Sequence, residues 1–322
     1  MITVNVHANG SLLQNDLPLS EISDVLDRKD HLLWLDVVDP TEDDLRLLAQ
    51  EFAFHPLAIE DVSRRHQRPK VDLYDGFSLL VFYAMRSTPA QALELQEIEI
   101  LVGQSYVVTV HDGDLALLEE VRDRWCRNID EVGHRNAGLL VYSILDALVD
   151  GYFPCIDELS DRIEHLEERV FQRFDAETQK TIFRLKKELL AIRRVVAPER
   201  DVLNVLIRRE SPIFDEATIV YFQDVYDHVL RVTDAVDTYR DLMSSALDAY
   251  LSVTSNRLNQ VMKTLTASSI ILMSMTLVAS VYGMNFDHMP ELHWHLGYLW
   301  ALGLMVAIGF GLLLVFRRMD WL

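Results

Sequence analysis

Between Ile213 and Tyr282 the chain contains neither glycine nor proline. At about 1.5 Å per residue, such a run can form about 100 Å of unbroken helix, far more than a small globular domain needs. Apolar residues recur at helical spacing through "IVYFQDVYDHVLRVTDAVDTYRDLMSSALDAYLSV", which predicts a single stalk helix. Its last part, Thr264–Tyr282 ("TLTASSIILMSMTLVASVY"), carries no charge and is long enough to cross a hydrocarbon layer of roughly 30 Å. Leu296–Phe316 ("LGYLWALGLMVAIGFGLLLVF") is a second uncharged run of spanning length. Arg257 and Lys263 precede the first span, Arg317 and Arg318 follow the second, and the connection between them carries only acids and histidines. The positive-inside rule then places both chain ends in the cytosol and the connection outside.

The net charge of −20 is segregated from these spans: beyond Lys263 the only acids are Asp287, Glu291 and Asp320. The first part of the chain is therefore strongly acidic, which serves solubility, repels nucleic acid and attracts cations. Two cysteines, Cys126 and Cys155, form no CxxC pair, so neither a disulfide framework nor a structural zinc site is expected. The start, "MITVNVHANGSLLQND", has neither a basic lead nor an apolar core and does not read as a signal peptide. No P-loop, GxGxxG, HExxH or GxSxG is present, and no enzymatic activity is expected.

Strand-like runs "HLLWLDVV", "FSLLVFYAM", "EIEILVG" and "SYVVTVHD" alternate with helix signals in the first part of the chain. One such signal is "DPTEDDLRLLAQEF", where Asp39 can cap and Pro40 suits the first turn. The expected organisation is an α/β domain over 1–130, a helical hairpin region over 131–211 turning near Asp175, and a stalk over 212–282. An external loop over 283–295, the second span over 296–316 and a tail over 317–322 complete it. The fold class is an α+β membrane protein: a cytosolic α/β domain and a long helix that becomes the first of two C-terminal spans.

The polarity of the first span has a phase. Ser269, Met273, Thr276 and Ser280 step by four, three and four and share one helical face. Extended backward, that face takes in Leu265, Met262, Asn259, Ser255, Leu251 and Asp248. Such a stripe reads as a pore lining, and one helix cannot enclose a pore, so a symmetric oligomer is required. In the second span Gly303, Ala307 and Gly311 form a small-residue stripe suited to close helix contact.

Between the spans stand "YGMNF" (Tyr282–Phe286) and "MPEL" (Met289–Leu292). Placed there, these motifs resemble the CorA family of divalent metal ion channels, whose signature is the triplet found here at Gly283, Met284 and Asn285. "WLDVVDPTEDDLRLLAQEFAFHPLAIEDVSRRHQRPKVDLYD", "YSILDALVDGYF" and "SNRLNQVMKTLT" extend the resemblance over nearly the whole chain. It implies a homopentameric funnel in a lipid membrane that moves Mg²⁺, with Co²⁺ and Ni²⁺ often accepted, inward down the electrochemical gradient without ATP or an organic cofactor.

On that resemblance the pore is lined by Asp248, Leu251, Ser255, Asn259, Met262, Leu265, Ser269, Met273, Thr276 and Ser280. Gly283, Met284 and Asn285 form the selectivity filter. A ring of Asn285 amides would hold a hydrated ion through its waters, because Mg²⁺ dehydrates reluctantly. Gly283 would let the backbone break from the helix. The resemblance also implies a regulatory cytosolic cation bound by Asp224, whose expected acidic partner is replaced by Ser87, with Glu94 the nearest acid. His288, His293 and His295 read as ordinary loop residues. Two rival readings are a zinc transporter of the ZntB branch and a membrane-anchored metal-binding scaffold that conducts nothing. Native mass in detergent separates a pentameric channel from a monomeric or dimeric anchor.

Overall fold

The computed structural model describes every residue except 9–10, 16, 19–20, 27, 29, 89–92, 128–135, 173–175, 209–212, 286–288 and 322. The turn expected near Asp175 therefore lies outside the described residues. The chain divides into two compact units: residues 1–168 with 177–244, and residues 169–176 with 245–322.

In the first unit a seven-stranded sheet has the order β2-β1-β3-β7-β6-β5-β4. Its strands are β1 (Ile2–Ala8), β2 (Ser11–Asn15), β3 (His31–Val38), β4 (Lys70–Leu73), β5 (Phe77–Ser87), β6 (Leu93–Gly103) and β7 (Tyr106–His111). Among the described residues, only β3 and β7 pair in parallel. Both faces are covered, which is why β3 reads as a continuous apolar run rather than an alternating one. Leu33, Leu35, Val37, Leu79, Leu101 and Val108 join the core formed with α2 (Glu42–Glu51) and α3 (Pro56–Ser63). On the opposite face α5 (Ala137–Asp150) lies against β5, β6 and β7.

Local caps set the helix starts. Thr41, not Asp39, caps α2: Asp44 N donates to Thr41 Oγ1 at 3.2 Å, and Thr41 N donates to Asp44 Oδ2 at 2.9 Å. Asp39 stands in the left-handed region (φ 50°) and instead accepts from Gly113 N at 2.9 Å, fixing the β7 exit. Asn136 caps α5 through Leu139 N at 2.8 Å.

Helices α6 (Tyr152–Gln172), α7 (Ala176–Ile207) and α8 (Glu216–Tyr282) carry apolar stripes of alternating three and four spacing. In α7 Ile182, Leu185, Leu189, Ile192 and Val196 are buried; in α8 Phe222, Val225, Val229, Val232 and Val236 are buried. That 3.5-residue period lets long helices wind along one another. Arg162 pairs with Glu188 at 2.8 Å between α6 and α7, and Arg193 pairs with Asp237 at 2.8 Å between α7 and α8. Asp215 caps α8, accepting from Thr218 N at 2.8 Å, so the predicted helix begins three residues later than the Gly- and Pro-free run.

Among the described residues, three helical stretches are long and apolar enough to cross a membrane: Ala137–Val170, Glu216–Tyr282 and Gly297–Arg318. The first has half of its apolar window buried inside the protein and supplies the helical cover of the sheet. Composition alone does not distinguish such a core helix from a span.

One buried link ties the helices to the sheet. β4 ends its pairing with β5 at Val81, which leaves the outer edge of Tyr83 without a strand partner. Tyr83 N donates to Glu199 Oε1 at 3.0 Å, and Tyr152 Oη lies 2.5 Å from Tyr83 O and 2.9 Å from Glu199 Oε1. Tyr152 has one proton and two acceptors. Its hydroxyl donates toward both Tyr83 O and the Glu199 carboxyl, so the three groups form one buried network. Burial pushes the Glu199 carboxyl up to about 8, against the lowering effect of its bonds to Tyr152 and Tyr83 N.

This raised value fixes the sign of a pH dependence. Below the ordinary carboxylate range the folded and unfolded chains are both protonated and the contribution is complete. As pH rises toward about 8 it is lost, at up to about 1.4 kcal/mol per pH unit. The full-length protein in detergent is expected to melt at progressively lower temperature between pH 5 and pH 8. Glu199→Gln keeps an acceptor for Tyr83 N, cannot ionise and should flatten that slope, whereas Glu199→Ala leaves Tyr83 N unsatisfied and should cost about 1–3 kcal/mol. Thermal unfolding across this pH range checks both.

Candidate functional site

The second unit contains the membrane-length parts of α8 and α9 (Gly297–Arg318). α9 packs along one side of α8: Ala267 is fully buried, and Ile271, Ser274, Met275 and Val278 are half-buried in line with it. The ten residues of the sequence-predicted face, Asp248, Leu251, Ser255, Asn259, Met262, Leu265, Ser269, Met273, Thr276 and Ser280, are all exposed and lie on the opposite side of the helix. Leu251, Met262, Leu265 and Met273 are each more than half exposed. A lone chain in water does not leave such a run of large apolar groups bare.

The hydroxyl of Thr276 is committed to the backbone, donating to Leu272 O at 2.8 Å. With its proton engaged, Oγ1 offers only lone pairs outward. A polar position of this kind accepts hydrogen bonds, which is what the waters of a hydrated cation can give.

Within the chain, the small-residue stripe on α9 does not face α8. A Cβ added at Gly303 or Gly311 would meet nothing within 4 Å, and Ala307 is exposed. The close approach falls instead at Gly309, whose added Cβ would lie 3.5 Å from Met275 Sδ. Gly309 stands on the side of α9 marked by the buried Ala301 and Phe316, about half a turn from Gly303 and Gly311.

The connection between the spans is built on close backbone approaches. α8 ends at Tyr282, yet Gly283 N still donates to Ala279 O at 3.0 Å and Met284 N to Val281 O at 3.3 Å. Gly283 is not among the residues of positive φ. It therefore continues the helical bonding rather than breaking it, and helical bonding gives out at Asn285, which is exposed. Met289 then leads into a 3₁₀ turn over Pro290–His293. A Cβ at Gly297 would stand 2.1 Å from Glu291 O, so only glycine lets this turn seat on the start of α9. His293 and His295 are exposed; His288 lies outside the described residues.

Within the first unit, Asp224 on α8 is exposed and faces α5. Asp146 and Asp150 of α5 and His228 of α8 place their ligand atoms within 4.8 Å of one another. Burial raises the Asp146 carboxyl first, and the charges of Asp150 and Asp224 push it further, with His228 opposing. This three-residue cluster was only partly visible in the sequence: Asp146 and Asp150 are one helical turn apart, and His228 lies one turn beyond Asp224, but nothing local brings the two helices together. Ser87 ends β5, two residues later than the expected strand end, and Glu94 is engaged by Arg86 at 2.9 Å.

The family described as "CorA-like Mg2+ transporter protein" matches residues 29–318. The chain belongs to the CorA family. It is 38% identical over 288 residues to YfjQ of Bacillus subtilis, covering 89% of each chain. It is 35% identical over 291 residues to the cobalt/magnesium transport protein CorA of Thermotoga maritima, covering 90% of this chain and 83% of that one. The complete structure of the CorA magnesium transporter from Methanocaldococcus jannaschii superposes with a TM-score of 0.82 at 25% identity, covering 100% of this chain and 99% of that chain. The ZntB cytoplasmic domain of Vibrio parahaemolyticus shares the fold alone, with a TM-score of 0.58 at 17% identity over 70% of this chain and 88% of that one.

The connection of this CorA-family chain yields a stability test. Gly297→Ala forces Glu291 O to move and should cost about 1–3 kcal/mol. Gly303→Ala meets open space and should be neutral or stabilising by up to about 1 kcal/mol. Thermal unfolding of the two variants in detergent compares them directly.

Proposed function

We propose that the chain assembles as a homopentamer in a cell membrane and conducts Mg²⁺ passively into the cytosol, with Co²⁺ and Ni²⁺ accepted, through a channel lined by α8. The observation that carries this reading is the exposed face of ten residues on α8, directed away from α9 and leading to Gly283, Met284 and Asn285. Five copies set face to face cover it, and α9 then forms an outer ring against lipid. The chain termini lie in the cytosol and the loop outside.

Along that path the chemistry suits a hydrated ion. Asn285 amide oxygens accept from the waters of Mg²⁺ without the tight grip of a carboxylate, and weak sites in series let the ion leave. Asn259, Ser269, Thr276 and Ser280 supply further polar rings. Leu251, Met262, Leu265 and Met273 supply apolar constrictions able to close by dewetting. Asp248 gives an acidic ring on the cytosolic side.

Gating by cytosolic cation, on this reading, uses Asp224 with Asp146 and Asp150 in place of the acid missing at Ser87. A divalent ion among them relieves like-charge crowding that already raises Asp146. His228 adds a nitrogen donor that favours Co²⁺ and Ni²⁺ over Mg²⁺.

Mg²⁺ influx into proteoliposomes loaded with a Mg²⁺-sensitive dye tests conduction. Wild-type flux that falls at least tenfold in Asn285→Ala, with the oligomer intact, is the expected outcome; no flux from the wild type overturns the assignment. Divalent cation should also raise the melting temperature of the wild type, and Asp224→Asn combined with Asp146→Asn should abolish that rise.

A further inference from the structure

The last turn of α9 closes with a complete Schellman motif. Trp321 N donates to Phe316 O at 3.0 Å and Asp320 N to Arg317 O at 3.4 Å. The Trp321 ring stacks on that of the buried Phe316, with centroids 5.6 Å apart and planes 18° from parallel. The position that must adopt the left-handed conformation is filled by Asp320 (φ 53°), where glycine is the usual residue. The turn sends the chain back toward α8, and Thr264 Oγ1 donates to Trp321 O at 3.2 Å.

Thr264 lies on the α9-facing side of α8, in line with Ile271 and Met275, and its sequence neighbours on the exposed face are Met262 and Leu265. Trp321 also borders a cavity of about 490 Å³ shared with Asn259, Met262, Lys263 and Thr266. The tail therefore meets the pore-lining helix at the level of its apolar Met262–Leu265 constriction, through Thr264 on the α9-facing side and along a flank that reaches Asn259 and Met262.

We propose that Trp321 and the Asp320 turn form a clasp that positions the Met262–Leu265 constriction by holding α8 against α9 at its cytosolic end. This rests on the transport reading above. With the clasp closed, α8 is held away from the channel axis; released, it is free to lean inward and narrow the apolar ring. Trp321 acts through Thr264 and is a positioning residue, not an ion ligand. The clasp is also marginal by construction, because an aspartate in the left-handed region is strained where glycine is not.

Three variants in the full-length protein separate this role from simple packing. Thr264→Val keeps the volume and removes the donor. Thr264→Ser restores it, and Asp320→Gly relieves the strained turn. Flux of Mg²⁺ into proteoliposomes is measured per folded oligomer, alongside melting temperature. Thr264→Val is expected to lower flux about fivefold, the population shift set by one hydrogen bond. Thr264→Ser should return it to the wild-type value, and Asp320→Gly should match or exceed wild type. Wild-type flux that is unchanged in Thr264→Val, or lowered equally in Asp320→Gly, overturns the clasp while leaving transport standing. Absence of flux from the wild type removes the transport reading itself, and the clasp with it.

Discussion

An α-helix satisfies its own backbone hydrogen bonds, and α8 depends on that over all of its 67 residues. Because, away from its ends, no backbone group needs an outside partner, the same element can pass from a water-facing bundle into an uncharged run of membrane length without changing its structure. Only the side chains change: valines and phenylalanines at 3.5-residue spacing give way to a face of hydroxyls, amides and large apolar groups. The remainder of the architecture follows from how each part of that helix is covered. In the first unit the sheet and its helices share the burial among many side chains. In the second, α9 covers one side of α8 and leaves the other bare.

That bare side is what the proposed oligomer would cover. Lipid can cover leucine and phenylalanine on the outer surfaces of α8 and α9, but a stripe of serine, threonine and asparagine toward hydrocarbon would be costly. Copies of the same face, turned toward one another, keep those groups with water and ions. The acidity of the first unit then concentrates cations on the side where the chain carries nearly all of its negative charge.

Much of this was legible in the sequence. The absence of glycine and proline marks α8, the missing charges mark the spans, and a four-three-four phase marks the face that is exposed. These signals are local, because each depends on side chains within a few helical turns. The hairpin of β1 and β2 went unread because its short strands carry polar residues, among them the buried Asn5 and His7. Which small residues of α9 meet α8 was not legible for a different reason. Gly303, Ala307 and Gly311 and the single Gly309 are equally small, and which of them meets α8 depends on how the two helices are rotated against each other.

The sequence by itself determined the long helix, the two spans, the polar face and the motifs that place the chain in the CorA family, because periodicity and missing charge act along the chain. Tertiary structure decided three other matters: that Asp146 and Asp150 meet His228, that Glu199 closes the sheet edge at Tyr83, and that Trp321 returns to Thr264. The partners in those contacts are separated by 47 to 116 positions where their bonds are drawn. Only packing, which closes loops of that length in one arrangement, brings the Glu199 carboxyl to the Tyr152 hydroxyl and the Tyr83 amide that donate to it.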